Sequence, residues 1–227
     1  MDLFQKIRKG SQTLKLDFES IKKDLIVKYE SSNKNDGQDN SRLSSSVIMP
    51  LYHTEDSTGM ILTTRSKKLK SHPGQISFPG GVQEANESIL QTGLREWEEE
   101  MGAPSRHLDI LGSYEQIDTR TGYHITPFVG IYKGDFQFNI NEEVESWMNV
   151  TIQDFWAKDF YCVDFFGMKS HRVYYFDLED KGLLWGATCD IIVRFLREFA
   201  QFDREPKLVE PNLSNPPFFR PQTQVQI

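Results

Sequence analysis

The stretch LREWEEEMGA, Leu94 to Ala103, constrains the chain more than any other. A helix turns 100° per residue, so Leu90, Leu94, Trp97 and Met101 form one apolar stripe that must face a core. Glu96, Glu99 and Glu100, at i, i+3 and i+4, gather on a separate arc. Like charges at those spacings repel, and the neighbouring Arg95 does not neutralise three anions. The helix alone leaves two readings open: a solvated acidic face, or a set of carboxylates around a hard divalent cation. Ahead of it stands SFPGGVQEANES, whose Pro79-Gly80-Gly81 turn allows close backbone approach and can lend a carbonyl to a cation or amides to a phosphate.

At 227 residues the chain can bury one sizeable core. Its net charge of −7 gives no global support to nucleic-acid binding. No apolar run approaches the length of a membrane span, and the first residues lack the apolar core of a signal peptide. A cytoplasmic protein without membrane or nucleic-acid partners is expected. Cys162 and Cys189 lie far apart and read as buried free thiols.

Residues 17–29 place Phe18, Ile21, Leu25 and Tyr29 at helical spacing, and 31–46 is a polar linker. Together 1–45 form an N-terminal helix and linker. Strands are expected at 46–52, 59–64, 107–117, 123–132 and 171–178, with a further run at 145–150 leading into a short helical stretch. Helices are expected at about 87–102 and 187–202. This mixture predicts an α/β domain with a mixed sheet over 46–203. The tail, 204–227, is proline-rich and should be extended. Its PPFFRP offers aromatics to the body or to a second subunit, so a homodimer stays open, as does a loosely ordered tail.

Gly81, Glu87, Arg95, Glu96, Glu99, Glu100 and Gly102 fall in register on the fixed positions of the Nudix box, G-x5-E-x7-R-E-U-x-E-E-x-G-U. Trp97 and Ala103 take its apolar positions, one larger and one smaller than usual. The chain therefore resembles the Nudix hydrolases. Residues 61–81, ILTTRSKKLKSHPGQISFPGG, are also similar to the signature that precedes the box in coenzyme A diphosphatases. Leu62, Thr63, Arg65, Ser66, Gly74, Phe78, Pro79, Gly80 and Gly81 agree with it. Lys70 replaces an arginine, keeping the charge but losing the bidentate fork.

The resemblance implies an α/β/α sandwich and Mg²⁺- or Mn²⁺-dependent cleavage of a pyrophosphate in coenzyme A or acyl-CoA. The rival substrates are ADP-ribose, a dinucleotide or capped RNA. A ligand-sensing domain without turnover would have lost glutamates that are present here. By motif position Glu96, Glu99 and Glu100 are metal ligands, with the Gly80 or Gly81 carbonyl as a fourth. Glu99 and Glu100 are also assigned to catalysis, with Arg95 and Glu87 orienting the metal face. Arg65, Lys70, Gly81 and Phe78 are assigned to substrate. Glu142, Glu143 and Glu145 offer a base from a later loop, against a solvated-loop reading for each.

Overall fold

The computed structural model describes residues 16–30, 42–164 and 172–210. The linker at 31–41, the first residue of the strand expected at 171–178, and Pro211, Pro216, Pro217 and Pro221 with PPFFRP lie outside them. The chain divides between Gln153 and Asp154 into two compact units, a division that falls inside the 46–203 stretch.

In the first unit, helix α1 spans Phe18–Leu25 and continues as a wider turn over Ile26–Glu30. The strands are β1 (Leu43–His53), β2 (Thr58–Arg65), β3 (Ile76–Ser77), β4 (Gly80–Val82), β5 (Leu108–Ser113), β6 (Ile117–Asp118), β7 (Tyr123–Tyr132) and β8 (Val144–Thr151). Helix α2 spans Ile89–Met101. Among the described residues these strands make one mixed sheet, with β1 parallel to β7 and antiparallel to β2.

The two sheet faces carry different helices because alternate side chains point to opposite sides. Ile48 and Tyr52 of β1 pack with Trp97 and Met101 of α2, as the apolar stripe requires. Leu25 of α1 lies over Gly112, and Tyr29 meets Tyr114 edge-on at 5.0 Å, on the other face. The result is the expected α/β/α sandwich. The N-terminal helix supplies one of its layers, with Ile21 and Leu25 buried as their spacing predicts.

One correction concerns the linker. Leu43–Ser46 belong to β1, because the parallel ladder with β7 takes up the backbone of a serine run that reads as loop.

The sheet has a fork. β1 pairs with β2 only from Leu51 to His53; beyond that β4 takes the same edge of β1, at Ser45–Val47, while β3 takes that of β2, at Thr63 and Thr64. Phe78 and Pro79 cross between the two, and the Pro79 carbonyl accepts the Ile48 N–H at 2.9 Å. The glycine pair is thereby driven under α2.

The second unit holds β9 (Asp159–Asp164), β10 (Arg172–Asp177), β11 (Leu183–Trp185), β12 (Lys207–Val209) and helix α4 (Gly186–Phe199), preceded by the short α3 (Ile152–Ala157) that crosses the division. Its strands run β11-β10-β9-β12. The first part of the tail is extended as expected, and its β12 pairs in parallel with β9. Arg204 holds this segment by donating to the Phe155 and Lys158 carbonyls at 2.8 and 2.7 Å. Cys162 and Cys189 are buried free thiols. Among the described residues no helix is long and apolar enough to cross a membrane.

Candidate active site

Helix α2 begins at a capping box. Ser88 Oγ accepts the Gln91 N–H at 3.2 Å, and Gln91 Oε1 accepts the Ser88 N–H at 2.7 Å. It ends at Gly102, whose φ of 61° is the left-handed conformation that closes helices. Between these ends the glutamates separate by depth. The Glu100 side chain is 5% exposed, Glu96 is largely covered, and Glu99 stands at the rim, 54% exposed. Glu98, which the helical spacing assigns to solvent, is exposed but accepts the Ser105 N–H at 2.7 Å and so holds the turn after the helix.

Arg95 organises the outer carboxylates. It donates to Glu87 through Nε and Nη2, both at 3.1 Å, and through Nη1 to Glu96 at 2.9 Å and Glu99 at 3.1 Å. Glu87 also accepts the Glu84 N–H and the Thr92 hydroxyl. The arginine and these donors hold the Glu87 carboxyl down at about 2.

Glu100 sits in the opposite condition. Its Oε2 accepts the Gly80 N–H at 3.3 Å, and Arg65 Nη1 lies 3.9 Å from Oε1. Burial and then the charge of Glu96 push its carboxyl up to about 8, against the pull of Arg65 and the Gly80 amide. Burial likewise raises Glu96. A side chain at Gly81 would strike the Glu96 carboxylate, and one at Gly80 the Ser46 carbonyl, so the turn brings bare backbone against the acids.

This donor set suits a hard divalent cation: oxygen ligands of high negative charge, half-buried, beside a backbone with no side chains in the way. A cation there would remove the cost of ionising Glu100. Among the described residues no three acid, imidazole or thiolate groups are already gathered to hold one. The reason is visible in the bonding, because Arg95 holds Glu96 and Glu99 while Glu100 is held from the other side. Glu96, Glu99, Glu100 and the Gly80 backbone are the groups that would close on a cation.

The substrate candidates are dispersed. Arg65 ends β2 and reaches Glu100, whereas Lys67, Lys68, Lys70 and His72 are exposed on the following loop. Phe78, assigned to substrate by the resemblance, is 2% exposed, so its ring packs inside the fold and not on the surface of the site. Two features lie beyond sequence reasoning. The Arg65–Glu100 pair joins residues 35 positions apart across the fork. Of the three acids in NEEVES, Glu143 is the one whose charge acts on both Glu96 and Glu100. It is placed there by its carbonyl, which accepts the Ser66 N–H at 2.7 Å.

The NUDIX domain pattern matches residues 42–181. A Yersinia enterocolitica protein named NudL, described as an uncharacterized Nudix hydrolase, is 33% identical over 156 residues, covering 67% of this chain and 79% of that protein. The NudL of Photorhabdus laumondii is 34% identical over 158 residues, covering 68% of this chain and 83% of that one. Among solved structures, a MutT/nudix family protein from Enterococcus faecalis shares the fold, with a TM-score of 0.50 at 15% identity over 78% of this chain and 70% of that one. With the box in register on α2 and its glycine turn against Glu96 and Glu100, the chain belongs to the Nudix hydrolase family.

Proposed function

We propose that this Nudix hydrolase cleaves the pyrophosphate of coenzyme A or an acyl-CoA, releasing adenosine 3′,5′-bisphosphate and (acyl-)4′-phosphopantetheine. The observation that carries the reading is the path of residues 61–81. The segment that resembles the coenzyme A signature runs through β2, the basic loop and the fork, and delivers Arg65 and Gly80 to Glu100. Signature and carboxylate helix thus meet at one site.

A pyrophosphate resists attack because its own charge repels the nucleophile. A bound Mg²⁺ or Mn²⁺ would offset that charge and lower the pKa of a bound water. The chain supplies the rest. Glu96, Glu99 and Glu100 would hold the cation, with the Gly80 carbonyl as a fourth ligand. Glu87 and Arg95 orient this face from outside it. Glu143, whose charge acts on Glu96 and Glu100, is the acid of the NEEVES stretch that we assign as the base for the attacking water. Lys70 and its neighbours bring positive charge for the 3′-phosphate and the pyrophosphate.

The test is a substrate panel. Purified protein with Mg²⁺ is given coenzyme A, an acyl-CoA, ADP-ribose, a dinucleotide and capped RNA, and products are separated by chromatography. Adenosine 3′,5′-bisphosphate from coenzyme A is the expected product. Rapid cleavage of ADP-ribose with coenzyme A untouched would overturn the substrate assignment. Binding without turnover of any member of the panel would favour a ligand-sensing domain.

A further inference from the structure

Among the described residues, two arginines reach the carboxylates of this face, and they are used differently. Arg95 is fully engaged, with hydrogen bonds to Glu87, Glu96, Glu99 and the Val82 carbonyl. Arg65 forms an ion pair with Glu100 at 3.9 Å, longer than a hydrogen bond. Its Nε is buried and has no hydrogen-bond partner. A guanidinium carries five N–H donors in a rigid fork, and leaving one buried and unpaired is unfavourable.

What keeps Arg65 there is its backbone. Its N–H donates to the Gln75 carbonyl at 2.9 Å, and its carbonyl accepts the Gly74 N–H at 3.0 Å. On the other edge the ladder slips, so that Thr64 faces Ser146 while Arg65 faces Val144, with Glu145 left over. The extra residue belongs to β8, and bulges recur beside active sites. Arg65 therefore projects from a pinned strand end, unlike the exposed lysines of the loop. The two oxygens of Glu100 then have different holders, the Gly80 amide on Oε2 and Arg65 on Oε1. A contact on each oxygen biases how the carboxylate is turned.

We propose that Arg65 is a positioning residue for Glu100, holding the buried carboxylate in the orientation that receives a divalent cation, and is not in the first place a contact for substrate phosphate. This rests on reading the Glu96–Glu100 face as the cation-holding face of the hydrolase. The two roles predict opposite signs. A bystander arginine repels a nearby divalent cation, so its removal would tighten cation binding. Removal of a positioning group weakens it.

The experiment is a titration of the full chain with Mn²⁺ and no substrate, followed by the electron paramagnetic resonance of free Mn²⁺. Arg65→Gln should weaken binding roughly tenfold, the scale on which groups behind metal ligands act. Arg65→Lys should stay within about threefold of the native chain, since an ion pair at this range asks for charge and not for a fork. With coenzyme A, kcat should fall in Arg65→Gln while KM stays within about twofold, as expected of a group that does not bind substrate. Circular dichroism checks the fold; if the glutamine variant unfolds, Arg65→Met, which keeps the packed stem, decides by the same criteria. Unchanged or tighter Mn²⁺ binding, or a raised KM with native Mn²⁺ affinity, overturns the positioning role. A native chain that binds no Mn²⁺ overturns the cation-holding face itself, and the two failures are thus distinct.

Discussion

Glu87 and Glu100 are both glutamates of the same box, and the fold drives them in opposite directions. Among the described residues the Glu87 carboxylate accepts four hydrogen bonds, two of them from Arg95, and its carboxyl lies at about 2. Glu100 is buried with one amide at 3.3 Å and an arginine at 3.9 Å, and its carboxyl lies at about 8. A saturated carboxylate is a clamp. An undersupplied one would gain from a nearby positive charge. The comparison separates the part of the site that holds shape from the part proposed to meet a cation.

The largest effect should come from Glu100→Gln, which keeps shape but removes the charge. Turnover is expected to fall to below about one hundredth of the native rate, with far-ultraviolet circular dichroism unchanged. Activity retained in that variant would remove Glu100 from the cation site and dissolve the contrast. Glu87→Gln should cost about tenfold in kcat, because Arg95 loses its anchor. The clamp's own stabilisation is present above the ordinary carboxyl value of 4.5 and is lost as pH falls towards about 2. In Glu87→Gln the acid limb of the stability curve should therefore flatten across that window. An acid limb as steep as the native one would show that Glu87 is no clamp.

Glu100 has the reverse linkage. Between pH 4.5 and about 8 the folded chain keeps a proton that the unfolded chain has released, so metal-free stability falls as pH rises. Mg²⁺ should raise Tm by more than about 4 °C at pH 8 and by less than about 2 °C at pH 5, read by thermal melts with Mg²⁺ or chelator. Equal shifts at both values would count against an ionised, cation-held Glu100. Ser88→Ala should give the smallest change, a loss of about 1 kcal/mol from the α2 cap. Mn²⁺ affinity in that variant should match the native chain, since the cap touches neither glutamate.

Much of the fold and of the acidic face is legible in the order of residues. The stripe of Leu90, Leu94, Trp97 and Met101 names the buried face of α2, and Trp97 and Met101 are in the core. The strands at β1, β2 and β7 and the helix at α4 follow from patterns of apolar residues that burial enforces. The box assigns the acids by register. Short pieces escape, because two or three residues carry no periodicity: β3, β4, β11 and β12 are defined by the partners they find. Ser44 and Ser45 read as linker because a polar serine run reads as loop, and become strand beside β7.

Helical spacing is local and needs no partner, so the amino-acid order alone settles which residues carry charge and which face of α2 is buried. How deep each charge lies is a matter of tertiary structure. The fork between β1 and β2 brings the Gly80 amide to Glu100, the end of β2 brings the Arg65 guanidinium to it, and the charge of Glu143 in NEEVES acts on it. Burial and distance set a carboxylate's behaviour, and both are made by chain segments far apart in sequence.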